Sequence, residues 1–139
     1  MEVKFSVLGE PQGKGRPRFY RVGNGVRTAT PAKTEIYENL IQMEYRRQCK
    51  DFRFPEKQPL AITVEAYFSI PKSTSKKNRA LMLERVLRPV KKPDGDNILK
   101  AVCDGLNKVA YSDDAQIIEF TIRKYYDEAP RLEVKIQEV

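Results

Sequence analysis

Residues 2 to 8 alternate, with Val3, Phe5 and Val7 on one side and polar or charged residues between them, which predicts a half-buried strand. Residues 9 to 30 lose that period and form a Gly- and Pro-rich basic loop, in which Gly23-Asn24-Gly25 can turn a small hairpin. Thr30 can cap a helix and Pro31 suits a first helical position. Ile36, Tyr37, Leu40, Ile41, Glu44 and Tyr45 then recur at helical spacing, so a helix is expected over about 31–49. Pro55 and Pro59 bracket a connection to Leu60–Ile70, whose β-branched and aromatic content gives the strongest strand signal in the chain. Residues 71 to 92 are basic, with a helix-like middle (Ala80, Leu81, Leu83, Val86, Leu87) that ends near Pro89. A helix is expected from about Asp96 to Lys108. The alternating segments 116–125 and 131–139, separated by Asp127-Glu128-Ala129-Pro130, read as a closing hairpin. This order of elements predicts a single α+β domain, residues 1–139, with a mixed β-sheet and two main helices.

The helix at 96–108 has two distinct faces. At ~100° per residue, Asp96, Asn97, Lys100, Asp104, Asn107 and Lys108 share an arc of about 120°, and apolar residues fill the rest. Asp96, Lys100 and Asp104 therefore sit on successive turns of one polar stripe. Asp94 precedes the helix beside Gly95, and Asp113-Asp114 follows after a short loop. Five of the seven aspartates thus fall between positions 94 and 114.

Composition gives this cluster its meaning. The chain has 26 Lys and Arg against 19 Asp and Glu, no histidine, and a formal net charge of +7. Carboxylates crowded together repel one another and call for a countercharge. Mg²⁺ takes oxygen ligands, usually one or two carboxylates with water and substrate phosphate. The absence of histidine excludes Ser-His-Asp and Cys-His nucleophilic schemes and the usual catalytic zinc sites. The cysteines, Cys49 and Cys103, have no metal-motif spacing and read as small hydrophobes of a reducing, cytoplasmic compartment. No apolar run approaches the ~20 residues that span a bilayer, and the charged, alternating N-terminus does not read as a signal peptide.

The positive charge is segregated. Residues 11–34 hold six Lys or Arg and no acid, and residues 71–92 hold eight with only Glu84, so the rest of the chain is net −6. Lys14, Arg16 and Arg18 alternate with Gly13, Gly15 and Pro17, which lets backbone and cationic heads approach phosphates. Lys76, Lys77, Arg79, Lys91 and Lys92 extend the candidate DNA-binding set, and Phe19 and Tyr20 can stack on unpaired bases. The P-loop pattern is absent.

Ordinary structural roles exist for each acid taken singly. Asp94 or Asp96 can cap a helix, Asp113-Asp114 can make a turn, and Lys100 with Asp104 can form an i,i+4 pair. An EF-hand loop fails because Ile98 occupies an alternate ligand position. Two rival classes stay open: a non-catalytic module for branched or single-stranded nucleic acid, and a metal-dependent phosphotransferase with an Asp-x-Asp site.

The run Lys92-Pro93-Asp94-Gly95-Asp96-Asn97-x-x-Lys100-x-x-x-Asp104-x-Leu106-Asn107, followed by Asp113-Asp114-x-Gln116-Ile117, resembles the RusA family of Holliday-junction resolvases, often carried by prophages. The Gly9-x-Pro11-x-x-Lys14-Gly15-Arg16-Pro17-Arg18 run and the Thr30-Pro31 helix start are similar to its phage-type branch. The resemblance implies a small homodimeric, Mg²⁺-dependent endonuclease, with one or two ions, that nicks four-way junctions symmetrically in recombination and repair. It implies Asp94, Asp96 and Asp114 as metal ligands and Lys100 as a catalytic lysine, with Asp104 and Asp113 as further acidic positions.

Overall fold

In the computed structural model, which covers residues 1–139, the strands are β1 (Glu2–Leu8), β2 (Arg18–Val22), β3 (Gly25–Ala29), β4 (Leu60–Ser69), β5 (Ile117–Asp127) and β6 (Arg131–Glu138). The helices are α1 (Ala32–Cys49), α2 (Lys76–Leu83) and α3 (Gly95–Leu106), and a short 3₁₀ turn spans Asp114–Gln116. Four strands form a mixed sheet in the order β1-β6-β4-β5, in which β4 and β5 are parallel and the other pairs antiparallel. The chain is thus an α+β fold with a mixed sheet, as its patterning predicts.

Alternation along β4 decides which face is covered. Leu60, Ile62, Val64, Ala66 and Phe68 are buried, as are Phe5 and Val7 of β1 and Leu132, Val134 and Ile136 of β6. They meet Tyr37, Ile41 and Tyr45 of α1 and Ile98, Ala101, Val102, Cys103 and Leu106 of α3 in one apolar cluster. The two helices approach closely at Gly105, where an added Cβ would stand 3.2 Å from the carbonyl oxygen of Glu38 and 3.3 Å from Cγ2 of Ile41. A larger residue there would push α3, and the acids it carries, away from α1.

Three expectations change. The segments 117–127 and 131–138 are strands but not a hairpin, because β4 lies between them and pairs with both. Alternation reports a buried face and says nothing of the neighbouring strand. The three-residue link crosses the end of β4, where Arg131 Nη1 donates to Asp127 Oδ2 and to the Ala129 carbonyl, both at 2.7 Å. Thr30 does not cap α1: Pro31 holds the cap position with no side-chain hydrogen bond, and the helix starts at Ala32. The excursion after β4 is helical earlier than expected, from Lys76, because the Ser75 hydroxyl accepts from Asn78 N at 3.2 Å and starts it.

Residues 18–29 form a separate two-stranded ribbon, with Gly23 at a φ of +59° in its turn. Every residue of the ribbon is exposed.

Candidate functional site

The acids lie on the crossover from β4 to its parallel neighbour β5, on α3 and on the turn after it. Asp94 occupies the N-cap position of α3, yet its carboxylate makes no capping hydrogen bond. Asp96 stands in the first helical turn, a placement the positive end of the helix favours. Asp114 opens the 3₁₀ turn at the foot of β5.

Asp96, Lys100, Asp104 and Asp114 line one cleft of about 270 Å³ along α3, floored by Leu99, Cys103 and Phe120. Asp94 does not line it. Its side belongs to a second cleft of about 540 Å³ formed with Gly13–Arg16, Pro31, Lys33, Thr34, Lys92, Pro93 and Asn97. Of the three acids that the resemblance assigns to metal, Asp96 and Asp114 thus line one cleft and Asp94 lines another.

The five aspartates also divide by what they touch. Asp113 is a cap: its Oδ1 accepts from Ala115 N at 3.0 Å, while the Gln116 side chain accepts from Asp113 N at 3.2 Å. The hydrogen bond from Ala115 is the first cause of a carboxyl held below the ordinary aspartate value. Asp104 receives Lys14, whose Nζ lies 3.1 Å from Asp104 Oδ2 and 2.6 Å from Glu38 Oε2. Asp94, Asp96 and Asp114 take part in no ion pair, and neither does Lys100. Partial burial, then the Asp113 carboxyl and the charge of Asp104, push Asp114 above its ordinary value. Repulsion of this kind is relieved by a bound cation.

The donor set is all oxygen and suits a hard divalent ion such as Mg²⁺. No group of three or more Cys, Asp or Glu side chains is arranged to hold a metal ion as it stands. The fit to a metal is thus one of donor chemistry, with Asp96, Asp104 and Asp114 in one cleft and Asp94 outside it.

The basic tracts sort in the same way. Lys14 is expected to face phosphate, but its half-buried ammonium pairs with two carboxylates, so it joins the loop to α1 and α3. The loop is docked further by Lys14 N to the Asn97 carbonyl and Gly15 N to Thr34 Oγ1, each 3.0 Å. Arg79 pairs with Glu128 at 2.7 Å. Arg85 and Arg88, which also belong to the second tract, lie over the Tyr125 ring at 4.3 and 4.4 Å. Arg16, Arg18, Lys76, Lys77, Lys91 and Lys92 stay outside ion pairs. All of these are exposed. Two cations that the patterning did not single out join the Asp94 side. Lys33 lines its cleft, and Lys124 of β5 feels the Asp94 charge while desolvation holds it below the ordinary lysine value. Lys124 sits in a strand, where no local motif marks it.

Asp94, Asp96 and Asp114 thus line clefts without forming ion pairs, on a domain rich in exposed cations. The comparisons give the family: the model for endodeoxyribonuclease RusA matches residues 9–137. A protein of Bacillus subtilis (strain 168), described as uncharacterized protein YqaN, is 36% identical over 139 residues, covering 99% of this chain and 96% of its own length. The chain belongs to the RusA family of endodeoxyribonucleases, whose substrates are branched DNA. No helix is long and apolar enough to cross a membrane.

Proposed function

We propose that this protein is an Mg²⁺-dependent, structure-selective endodeoxyribonuclease that resolves Holliday junctions by paired symmetric nicks in DNA recombination and repair. The observation that carries the reading is the sorting of the acids. The three that the family resemblance assigns to metal, Asp94, Asp96 and Asp114, form no ion pair, whereas Asp104 and Asp113 are engaged by Lys14 and by a backbone cap.

In this reading Asp94, Asp96 and Asp114 would hold one or two Mg²⁺ ions. Bound Mg²⁺ supplies positive charge at the scissile phosphate and a more acidic attacking water. Lys100, one turn beyond Asp96, donates to a non-bridging phosphate oxygen as charge builds there. The bond to O3′ breaks and the proton ends on that oxygen, leaving a 3′-hydroxyl and a 5′-phosphate. Arg16, Arg18, Lys76, Lys77, Lys91 and Lys92 hold the arms through phosphates, so binding weakens steeply with salt. Two copies related by a two-fold axis would place equivalent sites on opposed strands.

The decisive experiment is Mg²⁺-dependent nicking of a synthetic four-way junction, a fork and plain duplex. Asp94→Asn and Asp96→Asn should each abolish nicking of the junction while leaving its binding largely intact. Full cleavage by both variants would remove the proposed site. Binding indifferent to Mg²⁺, with no cleavage of any substrate, would make the protein a binding module.

A further inference from the structure

The ribbon β2–β3 is the part of the molecule that the fold does not explain. Its strands pair only with each other, in the register Arg18↔Ala29, Phe19↔Thr28, Tyr20↔Arg27, Arg21↔Val26, Val22↔Gly25. It adds no residue to the core, and a lone two-stranded ribbon is at best marginally stable in water. It nevertheless exposes large apolar side chains: Phe19 is 74% exposed, Val26 67% and Tyr20 50%. The register puts Phe19, Arg21, Val26 and Thr28 on one face and Arg18, Tyr20, Val22 and Arg27 on the other, so each face carries one aromatic ring and at least one guanidinium.

The base of the ribbon is tied down and sits at the site. On one side the chain enters from Gly15, whose N–H donates to the buried hydroxyl of Thr34 at 3.0 Å. On the other it leaves through Pro31 into α1. Both ends form the rim of the cleft that Arg16, Lys33, Lys92 and Asp94 line. The ribbon spans about 16 Å at ~3.3 Å per residue. Residues 11–34 contain no acid to repel phosphate.

We infer that this ribbon is the element that selects branched over linear DNA: it enters the open centre of a branch, where Phe19 and Tyr20 stack on unpaired bases and Arg18, Arg21 and Arg27 hold the flanking phosphates. The inference rests on the nuclease reading above for its ligand and deepens it by naming the part that recognises the branch. Charge alone would serve phosphates along any duplex. Two aromatic rings held out in solvent add nothing to that contact, but they add an attraction to bases wherever the duplex is open.

The test reads binding, not cleavage, in EDTA, using a four-way junction with 2-aminopurine at the branch point and a plain duplex of the same length. The parent protein should raise the 2-aminopurine fluorescence on binding. The double variant Phe19→Ala/Tyr20→Ala should lose that rise and at least about tenfold of the preference for junction over duplex, with its duplex affinity and melting temperature unchanged. The triple variant Arg18→Gln/Arg21→Gln/Arg27→Gln should weaken both DNAs alike and lower the slope of log affinity against log salt by about 2–3. Absence of a rise with the parent overturns the inference, as does an aromatic variant that keeps the rise and the preference. Dissociation of a parent dimer by the aromatic variant, seen in sedimentation, would instead assign the ribbon to contact between copies and also overturn it. A protein that gives the rise but never cuts DNA would leave the ribbon's role standing and sink only the nuclease reading.

Discussion

Lys14 Nζ lies 3.1 Å from Asp104 Oδ2, and the same ammonium reaches Glu38 Oε2 at 2.6 Å, so one side chain ties the N-terminal loop to both helices of the core. Partial burial pulls the Lys14 pKa down, but the hydrogen bonds and charges of Glu38 and Asp104 outweigh it and hold the ammonium above the ordinary lysine value of 10.5. A raised pKa in the folded state means that this contribution is fully present below about 10.5 and is lost as pH climbs through the folded value. Lys14→Met should therefore cost about 1–3 kcal/mol in urea unfolding at pH 7, because two half-buried carboxylates lose their partner. The gap between variant and parent should narrow as pH rises through the raised folded value. A constant gap across that range would mean that the loss comes from packing.

This pair also marks the limit of what the chain discloses on its own. Strand β4 and helix α3 were legible because each has a periodic buried face of its own. The acids were legible as a group because Asp94-Gly95-Asp96 and Asp113-Asp114 crowd into one segment. Three things were not legible. The insertion of β4 between β5 and β6 depends on pairing, which alternation does not encode. Lys14 looked like its neighbours Arg16 and Arg18, and only the approach of Glu38, 24 positions away, separates it from them. That Asp94 and Asp96 line different clefts depends on tertiary packing, since the Asp94 cleft is formed with Gly13–Arg16 and Pro31 of a distant loop.

That docking predicts a sharp glycine effect. An added Cβ at Gly15 would stand 2.7 Å from Thr34 Oγ1 and 3.1 Å from Pro31 Cγ, and Thr34 is only 5% exposed and has little room to retreat. Gly15→Ala should destabilise the protein by about 1–3 kcal/mol and open the loop at residues 9–17 to limited proteolysis. Gly25→Ala is the control. Its nearest neighbour would be the Val22 carbonyl at 3.6 Å, an ordinary contact, so a change within about 0.5 kcal/mol is expected. Equal effects of the two substitutions would mean that the loop is not held against α1.

The link across the end of β4 depends on Arg131, which reaches Asp127 Oδ2 and Glu133 Oε1 at 2.7 Å and lies 4.1 Å from the Tyr67 ring centre. The Arg131 hydrogen bond is the first cause holding the Asp127 carboxyl below its ordinary value of 3.8. A depressed pKa gives stability that is present above about 3.8 and lost as pH falls through the folded value. Arg131→Gln should cost about 1–3 kcal/mol at pH 7. That cost should shrink toward the stacking contribution of about 0.5–1 kcal/mol once Asp127 is protonated. Chemical denaturation at neutral pH and again well below the ordinary aspartate value checks the difference, and an equal cost at both would remove the ion pair from the account.

Asp114 carries the opposite sign. Burial, Asp113 and Asp104 raise its pKa, so ionising it disfavours the folded state, and stability held below the ordinary value of 3.8 declines as pH rises through the folded one. Asp114→Asn removes that charge and should leave the metal-free protein as stable as the parent or up to about 0.5 kcal/mol more stable at pH 7. The same variant should lose the stabilisation that the parent gains from Mg²⁺, which by mass action reaches about 2.7 kcal/mol at a hundredfold excess over the dissociation constant. Thermal unfolding of both proteins in EDTA and in saturating Mg²⁺ reads the two effects separately. A variant less stable than the parent in EDTA, yet equally responsive to Mg²⁺, would make Asp114 a structural residue of the turn and move the metal to other oxygens. The expected crossing, with the variant ahead without metal and behind with it, arises when a fold keeps repelled carboxylates in place for the ion they hold.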